Sequence, residues 1–230
     1  MNVKANTHIC QAVKGVGISK NSPLGTFLLF YIFCTCLCVP IISCVSFPPP
    51  SPKTDSSASV PVGKGLVPSF VIAAKGIKNA DSLAAFFMHE RPSANAAKVK
   101  RLAALYVEEA LLEGINSDAA FAQMCLETGF LRFGTLVSED MNNFCGLGAI
   151  DASQRGNRFN SEREGVRAHI QHLKAYGSTE ALNMPLIDPR YKWVQPKGKA
   201  PTVYGLGGTW ASDPLYGKKI AGLLERMKDF

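Results

Sequence analysis

The feature that most limits what this 230-residue chain can build is the placement of its fourteen prolines. Pro48, Pro49, Pro50, Pro52, Pro61 and Pro68 fall among serines and glycines, in a stretch too poor in apolar residues to offset its own chain entropy. Pro185, Pro189, Pro196 and Pro201 exclude long helices from residues 178–212. A compact core must therefore come from residues 69–230, which is an ordinary size for one domain. Residues 45–68 read as a tether giving that domain reach.

Ahead of the tether stands an export signal. Lys4, Lys14 and Lys20 precede a sixteen-residue apolar run, 24–39, which suits a signal peptide. A membrane span needs about 20 such residues. Ile41-Ile42-Ser43-Cys44 follows and resembles the lipobox of bacterial lipoproteins, in which the cysteine is lipidated and becomes the new N-terminus. The expectation is a signal peptide over 1–44 and an exported protein anchored through Cys44, facing the periplasm or cell surface. A cleaved soluble form and an uncleaved anchor are the alternatives.

Charge argues against nucleic acid. The net +7 divides into +4 over residues 1–68, five lysines against one aspartate, and +3 over residues 69–230. No run of Lys and Arg interleaved with aromatics occurs in the domain, so nucleic-acid binding is not expected.

Within 69–230 the pattern is helical. Residues 70–74 are a short apolar run, strand or packed lead-in. Asp81 or Ser82 can cap a helix over 83–90 that Pro92 stops, and Ser93 can cap the next, ending at Gly114. Val99, Leu102, Ala103, Tyr106 and Ala110 give that helix one core face. Asn116, Ser117 or Asp118 starts a third helix, which Gly129 is placed to end. Ser161 and Glu164 form a capping box for a fourth, and Asp213-Pro214 opens a fifth.

Glu127 lies in the last turn of the third helix, where unpaired carbonyls gather and a negative charge is disfavoured. Phe121, Met124, Phe130 and Phe144 offer an apolar wall that raises its pKa further by desolvation. A carboxyl protonated near neutral pH is what a general acid for glycosidic cleavage needs. On position alone, a surface glutamate without a role explains it as well.

The surrounding string is more specific. Glu127-Thr128-Gly129, Asn142-Asn143-Phe144-Cys145-Gly146, Phe159-Asn160-Ser161, the run 165–176, Asp188-Pro189-Arg190-Tyr191, Trp210-Ala211-Ser212-Asp213 and Tyr216-Gly217 follow in order. Together they resemble the bacterial endo-β-N-acetylglucosaminidase family (glycoside hydrolase family 73), which includes the flagellar-rod and autolysin-type peptidoglycan hydrolases. The likeness runs from about Ser93 to the C-terminus. It implies a mainly α (α+β), lysozyme-like single domain, peptidoglycan or another N-acetylglucosamine-containing glycan as substrate, and Glu127 as the acid. It also sets Asn143 and Phe144 beside the cleft. Family members place a second carboxylate in a small β-lobe, yet here 149–159 is too short for more than a reduced one. Asp151 is its sole carboxylate, while Glu139 and Asp140 precede the loop. Asp151 and Asp140 are therefore the candidates for a paired mechanism; otherwise the substrate's N-acetyl group acts as nucleophile.

Tyr191, Trp193, Tyr204, Trp210 and Tyr216 cluster in the loop-rich region, where flat rings with polar tips suit sugar stacking. For Trp210 and Tyr216, packing of the last helix is the equal alternative. A Cys125 nucleophile paired with His169 or His172 is disfavoured, because Cys125 sits at the wrong end of its helix. His169 and His172 lack a third ligand at metal spacing, so packed histidines are expected, with no metal and no cofactor. Gly205-Leu206-Gly207-Gly208 reads as a mobile loop. The resemblance packs the Glu127 helix end against loop 142–146, bringing Cys125 near Cys145. Export permits a disulfide there, with two buried thiols as the alternative. A lytic transglycosylase and a non-catalytic glycan-binding lipoprotein are the competing functions, and protein N-glycans a competing substrate. The protein is expected to be a monomer.

Overall fold

Helix α3, Ser117–Glu127, is the centre of the domain: every residue from Ser117 to Cys125 is buried. The computed structural model describes residues 65–230, and around α3 it arranges α1 (Ala80–Glu90), α2 (Ala96–Glu113), α4 (Glu162–Gly177) and α5 (Tyr216–Arg226). α2 lies against α1, α3 and α4, while α5 covers another side of α3. The domain is mainly α. Pairing of extended backbone among the described residues amounts to isolated bridges, Val71 with Thr202, Asp151 with Gln154 and Gly207 with Ala211. The Asp151–Gln154 turn is all that stands where a β-lobe would be. The expected signal, Cys44 and the tether to residue 64 lie outside the described residues. The described chain begins against its own C-terminal end, with the Gly65 amide donating to the Lys228 carbonyl at 2.8 Å.

Asparagines start the first three helices. Asn79 caps α1 through the Ser82 amide, and Asn95 caps α2 through the Lys98 amide, in place of the expected Asp81 or Ser82 and Ser93. Their short amides reach the orphan N–H groups as well as a hydroxyl does. Asn116 caps α3 and its Nδ2 also holds the Ser69 and Val71 carbonyls, so one residue both starts the central helix and fixes the lead-in. Residues 70–74 are that lead-in, with Ile72 fully buried. Ser161 caps α4, but Glu164 reaches past it to the Asn160 amide, so the box closes one residue early. α5 starts at Tyr216, after a turn in which Asp213 accepts from the Leu215 amide.

Apolar burial supplies the cohesion. Phe86, Phe87, Tyr106, Phe121, Met124, Phe144, Ile170 and Leu173 are all shielded from solvent, each fully buried apolar side chain contributing about 1.5–3 kcal/mol. Polar ties add register. Glu109 on α2 accepts from Arg163 at 2.6 Å and Arg167 at 2.7 Å on α4. Burial pushes its carboxyl pKa up, and the two guanidinium groups outweigh that and lower it. Buried Glu113 takes the Lys174 ammonium at 3.0 Å and the Asn183 and Met184 amides, fastening loop 178–212 to α2.

Candidate active site

The end of α3 is shaped by a Schellman turn. The Phe130 amide donates to the Cys125 carbonyl at 2.7 Å, the Gly129 amide to Leu126, and Gly129 holds φ +56°. Thr128 Oγ1 braces the turn, donating to the Met124 carbonyl and accepting from the Leu131 amide. Phe130, Leu131 and Phe133 follow with positive φ, a strained backbone directly after the Glu127 position. Phe130 turns to Phe86 and Phe87 of α1. Phe121, Met124 and Phe144 lie in the core.

Two aromatic donors from the C-terminal part hold the Glu127 carboxyl. Trp210 Nε1 donates to Oε1 at 3.1 Å, and the Tyr216 hydroxyl donates to the same oxygen. Oε2 takes no hydrogen bond among the described residues, and Glu127 as a residue is only partly buried. Gly146 lies beside Oε2, where a Cβ would stand in ordinary contact at 3.7 Å. Burial raises the Glu127 pKa to about 7, against the opposing pull of the Tyr216 and Trp210 hydrogen bonds. The two oxygens are thus unlike: one held by two donors, the other without a donor among the described residues and able to carry a proton.

Loop 142–146 reaches the carboxyl because α4 lets it. A Cβ on Gly165 would lie 1.8 Å from the Asn142 carbonyl oxygen, so only glycine allows this approach. Asn143 is buried and organises the loop from within, accepting from the Leu147 amide at 3.0 Å and donating to the Leu147 and Asn157 carbonyls. Phe144 is likewise fully buried. Both expected substrate contacts are therefore enclosed within the loop.

Among the other expected site residues, Trp210 meets Glu127. Tyr191 and Trp193 occupy a 3-10 turn, with Tyr191 half-buried beneath Lys197 and Trp193 56% exposed. Tyr204 is 47% exposed and packs on Phe70. Asp140 pairs with Arg158 at 2.8 Å and accepts from Ser138, and these hydrogen bonds lower its pKa to about 2. Glu139 pairs with Lys98. Asp151 caps its own turn through Ser153 and Gln154, which lowers its pKa. All three carboxylates are exposed and engaged locally.

Cys125 and Cys145 are both buried and not joined to each other. Burial pushes the Cys125 thiol well above its ordinary pKa, the opposite of an activated nucleophile. The glycine segment 205–208 is a packed turn rather than a mobile one: the Trp210 amide donates to Leu206, and the Gly208 amide to Ala211. That packing presents Trp210 to the acid. His169 and His172 are both buried, and His172 Nδ1 meets Asp188 Oδ2 at 2.7 Å while its ring edges Trp210 at 4.9 Å.

Sequence reading missed Gln123 and left Tyr216 undecided. Gln123 lies one helical turn before Glu127, and its Nε2 donates to the Tyr216 hydroxyl at 2.9 Å. The usable signal was a lone amide four residues before Glu127 in the otherwise apolar run 119–126, since such pairs share a face.

Residues 103–229, more than half of the chain, match the family model Glucosaminidase, described as mannosyl-glycoprotein endo-beta-N-acetylglucosaminidase. An uncharacterized protein of Borreliella burgdorferi is 39% identical over 159 residues, covering 69% of this chain and 78% of that protein.

Proposed function

The chain belongs to the glucosaminidase family of glycoside hydrolases, and on that premise we propose that it cuts the β-1,4 bond after N-acetylglucosamine in peptidoglycan, with Glu127 as general acid. The observation that carries this is the division of labour within one carboxyl. Oε1 is held by Trp210 and Tyr216, while Oε2, beside Gly146, has no donor among the described residues. A pKa of about 7 keeps the proton available at neutral pH. As the C1–oxygen bond breaks, that proton passes from Oε2 to the leaving oxygen.

The nucleophile in this reading is the carbonyl oxygen of the substrate's own N-acetyl group. Asp140 and Asp151, the carboxylates weighed for the second role, are exposed and occupied by Arg158 and by a turn. Attack on C1 gives a cyclic oxazolinium, which water opens while the Glu127 carboxylate takes the proton back. The same single-carboxyl arrangement favours, as second reading, a lytic transglycosylase, in which a sugar hydroxyl closes the ring. Mass spectrometry of digested sacculi separates them. New reducing N-acetylglucosamine ends support the hydrolase and anhydro-muramic ends the transglycosylase; no new ends would leave a glycan-binding protein. A mannosyl glycoprotein digested in parallel tests the N-glycan alternative.

Export and anchoring through a lipidated Cys44 complete the proposal, supported by the apolar run and Ile41-Ile42-Ser43-Cys44. Cys44→Ala should release the protein from membranes or block its processing. Unchanged fractionation and mass would count against lipidation.

A further inference from the structure

Behind the acid runs a line of buried polar groups. Tyr216 gives its hydrogen to Glu127 Oε1 and receives one from Gln123 Nε2 at 2.9 Å. Gln123 Oε1 stands 3.0 Å from His169 Nε2, and His169 Nδ1 stands 2.8 Å from the Tyr106 hydroxyl. Gln123, His169 and Tyr106 are fully or almost fully buried, and they come from α3, α4 and α2.

The orientation of the Gln123 amide sets the direction of every bond in the line. Because the amide nitrogen of Gln123 faces Tyr216, its oxygen faces His169, so His169 Nε2 must carry a hydrogen. A neutral imidazole then has a lone pair on Nδ1, which the Tyr106 hydroxyl fills. Burial, and then the charge of His172, lower the His169 pKa to about 3, so the ring is neutral at any working pH. A Gln123 amide turned the other way would offer its oxygen to the Tyr216 hydroxyl and compete with Glu127 for that hydrogen.

We propose that Gln123 and His169 are positioning residues of the acid: they keep the Tyr216 hydrogen on Oε1, so that Oε2 alone carries and delivers the proton. This rests on Glu127 as the general acid, but it concerns residues that touch no substrate. The titratable groups facing the line are His172 from α4, Cys125 from α3 and Cys145 from loop 142–146, besides Tyr106, His169 and Tyr216 themselves. Asp188 lies behind His172.

The test is the Glu127 titration, read by NMR in the full-length chain carrying 13C-labelled glutamate carboxyls and assigned by the signal lost in Glu127→Gln. His169→Phe removes the donor to Gln123 and should raise the Glu127 midpoint by about 0.5–1 pH unit, since a bond favouring the ionised form is weakened. His169→Gln, which restores an N–H near the Nε2 position, should return it to the wild-type value. In a Tyr216→Phe background, His169→Phe should move nothing, because the coupling passes through that hydroxyl. Gln123→Met in the same cycle serves if His169→Phe does not fold, with the same outcome expected. An unmoved midpoint in the wild-type background, or an equal shift in both backgrounds, overturns the proposal. No substrate enters the measurement, so its failure is distinct from a failure of sacculus cleavage, which would count against the enzyme assignment instead.

Discussion

At the scale of the residue, Glu127 costs stability in order to hold its proton. Its folded pKa of about 7 lies above the ordinary 4.5. Between these values the folded protein keeps a proton that the unfolded chain releases, so the native state binds more protons and stability falls as pH rises. The contribution is fully present below about pH 4.5 and lost through about pH 7. Glu127→Gln keeps an acceptor for Trp210 and Tyr216 and removes the titration. Urea unfolding should therefore find it more stable than wild type by about 1–3 kcal/mol at pH 8, with the gain gone at pH 4. Trp210→Phe tests the other donor. The ring still packs on His172 and Tyr176, but Oε1 loses a hydrogen bond that favours its charge. With Glu127 as the proposed acid, the alkaline limb of the pH–rate profile should move upward from about pH 7, with lower activity at every pH.

At the scale of the element, the site depends on two backbone approaches. Gly129 ends α3 at φ +56°, a region costing a side-chain-bearing residue about 1–2 kcal/mol. Gly129→Ala should lower stability by about that amount. Gly165→Ala should do more, because its Cβ would occupy the space of the Asn142 carbonyl. Overpacking of this kind costs about 1–3 kcal/mol, and the displaced 142–146 loop should reduce activity beyond the loss of folded protein, read by comparing turnover with circular dichroism. These elements were unevenly legible in the sequence. The five helices follow from apolar spacing, and Glu127 with its glycine stop from the string itself. Which residue caps each helix did not follow, since Asn79 and Asn95 stand beside equally good cap types and only the chain's path chooses. The donors to Glu127 lie 83 and 89 positions away. Local pattern cannot separate a Trp210 that packs from one that bonds the acid, and here it does both. His169 read as half of a pair because its partners, Tyr106 and Gln123, belong to other helices.

At the scale of the whole molecule, the acid from α3 meets its donors only if loop 178–212 and α5 are fastened to the helical core. Glu113 makes much of that connection, holding Lys174, Asn183 and Met184 from a buried position at the end of α2. Glu113→Ala would leave the Lys174 charge buried without its carboxylate, and thermal or urea unfolding should report a loss of about 3–5 kcal/mol. The proposed function turns on one event, a proton leaving Glu127 for a glycosidic oxygen. Its most direct test is digestion of purified sacculi by wild type and by folded Glu127→Gln, with new chain ends counted by mass spectrometry. Wild type should release new reducing N-acetylglucosamine ends, and the variant about 10²–10⁴-fold fewer at neutral pH. Ends released at the wild-type rate by folded Glu127→Gln would contradict Glu127 as the general acid.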